Sequence, residues 1–244
     1  MRVSSLSRRR VLLGALACVS YFPRMIRADD ALPKKVSGIR FPDSDIARKA
    51  WRLSLGACPP YLFNHCMRTY LFGAIAMEHH GLHYDADAAF VAAALHDLGL
   101  LPQHETKIGS FETDGADEAA RIVRESGLPV KEAEIVWHAI ALHDNRFTFA
   151  EHQGPEAMLV AMGAASDVLG PDAEMIGAQR TEEVLAAFPR FDFKKRFIGL
   201  AREHCRRKPL SQQGTWLEGL CREQTPQAFS ATLEQAIASA PFTE

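Results

Sequence analysis

The chain has 244 residues, 47% of them apolar and 24% charged, enough to bury one substantial core or at most two small ones. A formal net charge of −2 argues against nucleic acid or an anionic membrane as partner, since either would want a clustered basic surface. The expected partner is a small-molecule substrate.

In chain order, Ser7-Arg8-Arg9-Arg10 is followed by a short apolar run from Val11 to Ser20, too short to span a bilayer. With Ala28 before Asp29-Asp30, this reads as a cleaved export signal over residues 1–28 of the twin-arginine type, which predicts a periplasmic location. The alternatives are a disordered basic arm or, through Ala15-Leu16-Ala17-Cys18, a lipid anchor. A membrane otherwise enters only through export. Residues 29–42 are expected to be a flexible N-terminal segment, and residues 43–244 one all-α domain.

Within that domain the apolar positions recur at three- and four-residue steps, the mark of helices. The spacing predicts helices over Ser44–Leu55, Tyr61–His80, from after Asp85 to Gly99, Gly115–Ser126, Val130–Asp144, Pro155–Gly170, Thr181–Phe188, Phe193–Arg207 and Pro226–Ala240. Glycines punctuate most of them, and proline opens the helix at Pro155. The segment Leu101–Thr113 is the longest loop inside this helical core. Cys58, Cys66, Cys205 and Cys221 match no zinc-ribbon spacing. They are read as small buried residues with no catalytic role, although an oxidising compartment would permit disulfides among them.

Three places in this pattern carry chemistry. The alanine-rich run from Ala88 ends abruptly in His96-Asp97, and a buried carboxylate needs a partner. A metal ion would supply one, and the negative end of a helix favours a cation; a hydrogen-bonded pair is the alternative. His65 shares a stripe with Thr69, Phe72 and Ala76 and so faces the core, as a metal ligand or as an ordinary buried histidine. Asp167 is a lone carboxylate in the apolar run Met158–Leu169, wanting a cation or orienting a neighbouring loop. His143 ends an apolar helix face and is read as a proton shuttle, a second-metal ligand or an inert core residue. His138, five residues earlier, would be rotated by about 140° on an α-helix and is left out of the site. His79, His80, His83, His104, His152 and His204 are read as surface or supporting residues.

A histidine, a later His-Asp pair and a later aspartate form the ordered pattern of HD-domain metalloproteins, which this sequence resembles. Two histidines and two carboxylates suit zinc first, with iron(II) or manganese(II) as alternatives. The likeness sharpens around Phe63-Asn64-His65-Cys66-Met67-Arg68, Ala94-Leu95-His96-Asp97-Leu98-Gly99, Phe111-Glu112-Thr113-Asp114-Gly115-Ala116 and Ala139-Ile140-Ala141-Leu142-His143. These segments resemble the cyanamide hydratase branch. That resemblance implies an all-helical fold and His65, His96, Asp97 and Asp167 as ligands of a divalent ion. It also implies water addition across a nitrile, with Asp97 and His143 catalytic. Phe111, Glu112 and Arg68 are the substrate-binding candidates. Phosphoester hydrolysis, a di-iron oxygenase and a non-catalytic exported metal-binding module remain alternatives. An apolar helix surface could support a homodimer.

Overall fold

A computed structural model describes residues 31–145, 148–229 and 233–241. The expected export signal over residues 1–28 lies outside the described residues. The described chain opens with a small hairpin, β1 (Lys35–Val36) and β2 (Ile39–Arg40), paired antiparallel with Val36 opposite Ile39. Its turn holds Ser37 and Gly38 at positive φ (46° and 86°), as two-residue hairpins require. The alternation that follows sends Ile39 and Phe41 into the core. The segment expected to be flexible thus holds a hairpin, whose two-residue strands are too short to leave a periodic signal.

The rest is helical: α1 (Asp45–Ala57), α2 (Pro60–His79), α3 (Ala86–Leu95), α4 (Phe111–Glu125), α5 (Val130–Ala141) and α6 (Thr148–Gln153). There follow α7 (Pro155–Val168), α8 (Ala173–Ile176), α9 (Ala178–Ala187), α10 (Phe193–Arg207), α11 (Glu218–Gln224) and α12 (Leu233–Ala238). Side-chain caps fix several starts. Ser44, Asp85 and Ser110 accept from the backbone N–H of Ala47, Ala88 and Thr113 respectively, each satisfying a donor that the helix cannot.

The all-α expectation holds, with local differences. Capped by Ser110, α4 starts at Phe111, four residues before the expected Gly115. Where a helix was expected to run to Gly99, a short 3-10 turn, Leu98–Leu100, follows α3, and the long loop contains a second, Pro102–His104. The expected helix Pro226–Ala240 is a 3-10 turn, Pro226–Ala228, and then the short α12. The short α6, α8 and α11 were not expected, because one or two turns cannot display a period.

At the centre lies α2, buried on every side from Tyr61 to Met77, as befits a helix apolar all round. It packs closely on α7 because glycine stands at the crossing. A Cβ on Gly163 would lie 1.9 Å from the Thr69 carbonyl oxygen, and one on Gly73 2.2 Å from that of Leu159. This approach brings the His65 and Arg68 side of α2 against the C-terminal turn of α7. Among the described residues no helix is long and apolar enough to cross a membrane.

Candidate metal centre

The centre is assembled where α2, the end of α3 and the end of α7 meet. α3 stops at Leu95, and His96 and Asp97 occupy the turn leading into the first 3-10 segment. Gly99 makes that turn possible: a Cβ there would meet the Phe111 carbonyl oxygen at 2.0 Å. The start of α4 is thereby pressed against the His96-Asp97 corner.

Each histidine is oriented by its Nδ1. His65 Nδ1 donates to Asp167 Oδ2 at 2.7 Å, and His96 Nδ1 donates to the Ala93 carbonyl at 2.8 Å. With Nδ1 so engaged, each ring turns its Nε2 inward, and the two Nε2 atoms face each other at 3.3 Å. Asp97 Oδ2 lies 3.4 Å from each of them and is buried without a hydrogen-bond partner. Three acceptors thus converge with no donor between them. A proton does not resolve the conflict at His96, because burial pushes its pKa down to about 3 against the pull of Asp97. A cation does. Ligands about 2.0–2.1 Å from a tetrahedral ion lie about 3.3 Å apart, which these separations match. His65, His96 and Asp97 are the group that could hold a metal ion among the described residues.

Asp167, expected as the fourth ligand, stands elsewhere. Its carboxylate accepts from His65 Nδ1, from Arg68 Nε and Nη2 at 2.8 Å each, and from Arg190 Nη1 at 2.6 Å. It lies behind the His65 ring, on the side away from Nε2. Burial would raise its pKa, but the hydrogen bonds from His65 and Arg68 outweigh that and hold it well below the usual carboxylate range. Asp167 therefore fixes the tautomer and direction of His65. Arg68, a substrate-binding candidate from the sequence, is fully buried. Its Nη1 donates to the carbonyls of Phe188 and Pro189, so it is a scaffold residue committed to the protein itself.

A cavity of about 270 Å³ adjoins the three ligand candidates, and its lining includes Phe111, His143 and Asp144. His143 lies past the end of α5, which stops at Ala141 and not at Asp144 as expected. Its Nδ1 donates to the Ile140 carbonyl at 2.6 Å, and its ring meets that of His96 edge-on at 4.8 Å. His138 sits against Trp137, outside this group. Phe111 forms cavity wall as expected, whereas Glu112 turns away from the cavity and faces Asp144. The oxygens of both carboxyl groups are buried without a donor from the protein. Burial and the neighbouring Asp144 push Glu112 up to about 8, and burial pushes Asp144 up to about 6. Both carboxyl groups therefore hold a proton more readily than an ordinary carboxyl, and Asp144 brings the pair to the cavity edge.

Sequence reading missed Asp144, which looks like an ordinary helix-end aspartate, and Arg190, which sits in the turn before α10. It also placed His204 among surface or supporting residues. That ring is fully buried, with Nδ1 on Glu105 and Nε2 facing Gln212 at 3.0 Å each.

None of the curated proteins compared with the chain matches it. The HD domain family model matches residues 62–162, a span that holds His65, His96, Asp97 and His143 and stops before Asp167. The helical fold and the converging His-His-Asp group agree with this match, so residues 62–162 form an HD domain, a family whose members are mostly metal-dependent hydrolases.

Proposed function

We propose that the protein is a metal-dependent hydratase that adds water across a nitrile-type small molecule, cyanamide being the smallest example, to give a urea or amide. The observation that carries the reading is three buried lone-pair atoms converging beside a cavity whose lining, among the described residues, includes neither Arg nor Lys. Three protein ligands leave room for water and substrate, as catalytic sites do and closed structural sites do not. A divalent ion at this position, zinc first and iron(II) or manganese(II) as alternatives, would supply hydroxide at neutral pH by lowering the pKa of its water.

The chain's own residues do the rest. Asp97 and the two Nε2 atoms fix where the water stands. His143, its Nδ1–H held by Ile140, presents a bare Nε2 that takes a proton from the attacking water and hands it to the nitrile nitrogen as the carbon gains oxygen. Phe111 excludes bulk water from one wall. The phosphoester reading, which the superfamily also supports, would want a cation facing the substrate. Arg68 and Arg190 are both committed to Asp167.

Export to the periplasm by the twin-arginine route is part of the same proposal. The disulfide between Cys205 and Cys221 supports it, since such bonds persist in oxidising compartments.

The test is urea formation from cyanamide by the metal-loaded protein, with metal content measured in parallel. Asp97→Ala should lose metal and turnover together. His143→Ala should keep the metal while kcat falls about 10²–10⁴-fold. Metal-dependent phosphate release from p-nitrophenyl phosphate, with no urea formed, would replace this reading by phosphoester hydrolysis.

A further inference from the structure

The hydratase reading leaves open what the nitrile is attached to, and the cavity bears on that. A molecule of three heavy atoms such as cyanamide needs no more room than about three waters, on the order of 90 Å³. The cavity measures about 270 Å³. Its polar groups are gathered at one end, where His65, His96, Asp97, His143 and Asp144 stand. The remainder is walled by the small side chains of α7, Ala161, Ala164 and Ala165, and opposite them by Phe197. At the mouth stand Leu169 and Trp216, 69% and 46% exposed. Large apolar side chains left in water at the lip of a site gain when a ligand covers them.

We infer that the substrate is an uncharged nitrile carrying an apolar body, aromatic or branched, which lies between α7 and Phe197 and reaches the Leu169–Trp216 lip. This inference rests on the hydratase reading for the nitrile and on the cavity for the body. The net reaction is R–C≡N plus water giving R–CO–NH2. Carbon gains the oxygen, nitrogen gains two protons, the C–N multiple bonding is reduced to a single bond, and nothing is oxidised or reduced. A positively charged body would have to leave water for an alanine and phenylalanine wall. A negatively charged one would meet the same desolvation cost.

Metal-loaded protein should be tested with cyanamide and benzonitrile, following amide formation by chromatography and binding by quenching of tryptophan fluorescence. The expected result is a kcat/KM for benzonitrile at least about tenfold above that for cyanamide. Ala165→Leu, which narrows the apolar end at a partly exposed position, should lower that ratio by about tenfold or more. Leu169→Glu, at an exposed position where folding is not at stake, should lower it severalfold. Cyanamide turnover with benzonitrile neither bound nor inhibitory would overturn the inference and leave the hydratase reading standing. Benzonitrile binding that Ala165→Leu weakens, with no nitrile converted, would overturn the hydratase reading and with it the nitrile head.

Discussion

The two histidines of the centre differ in what stands behind them: a carboxylate behind His65, a backbone carbonyl behind His96. That difference predicts how the site fails. Asp167→Asn keeps a hydrogen-bonding group behind His65 but removes the charge that enforces its tautomer, so metal affinity should fall about 10–100-fold. A metal titration checks this; complete loss, as expected for Asp97→Ala, would instead make Asp167 a ligand. The acid pair gives a second prediction. Because Glu112 is raised from 4.5 to about 8, its folded form holds a proton that the unfolded chain has released. Above about pH 6.5, where unfolded histidines are mostly neutral, metal-free protein should therefore lose stability as pH rises toward about 8. The contribution is at most about 1.4 kcal/mol per pH unit per proton. Glu112→Gln should flatten this slope in thermal melts across that window, and an unchanged slope would mean the pair holds no such proton. His96 and Asp97 were legible in the sequence because they end an apolar run, and His65 because it shares a core-facing stripe with Thr69, Phe72 and Ala76. The role of Asp167 was not, since only the fold reveals that two arginines and a histidine already claim it. Asp144 was invisible for the same reason, because its partner Glu112 is distant in the chain.

At the level of elements, the crossing of α2 and α7 sets the site, and glycine sets the crossing. Gly163→Ala would place a methyl 1.9 Å from the Thr69 carbonyl, a backbone atom that cannot swing aside. Overpacking of this kind costs about 1–3 kcal/mol. The same shift would displace Asp167, one turn further along α7, so metal affinity should fall with the melting temperature. Gly199→Ala in α10 is the control, with nothing within 4 Å of the added Cβ. It should be neutral or stabilising by about 0.5–1 kcal/mol. Equal melting temperatures for the two variants would show that α7 can move away from α2. The helices themselves were largely readable, since α2, α5, α7 and α10 lie close to where the apolar period places them. Reading glycine as punctuation served for Gly81, Gly127 and Gly170, which have positive φ. It misread Gly99, which stands beyond the end of α3 to admit the Phe111 carbonyl, and it gave no hint that Gly73 and Gly163 mark a helix crossing.

Across the whole molecule, the half of the cavity away from the ligand candidates depends on the C-terminal segments, beyond the residues that match the HD domain model. Phe197 comes from α10, and Trp216 from the connection between α10 and α11. The disulfide from Cys205 to Cys221 joins these two helices and closes the very segment that carries Trp216. The sequence left this pairing open, because which cysteines meet is decided by how α11 folds back on α10. Closing a loop of this size stabilises by about 3 kcal/mol through the chain entropy of the unfolded state. The double variant Cys205→Ala, Cys221→Ala should therefore melt lower while binding metal as before, since all three ligand candidates lie before α4. Its more telling effect concerns the cavity. With the segment untied, Trp216 is held less firmly over the mouth, so KM for an apolar nitrile should rise severalfold relative to KM for cyanamide, which does not reach the lip. A drop in melting temperature with unchanged selectivity would show that packing alone positions Trp216, leaving the disulfide a purely stabilising bond.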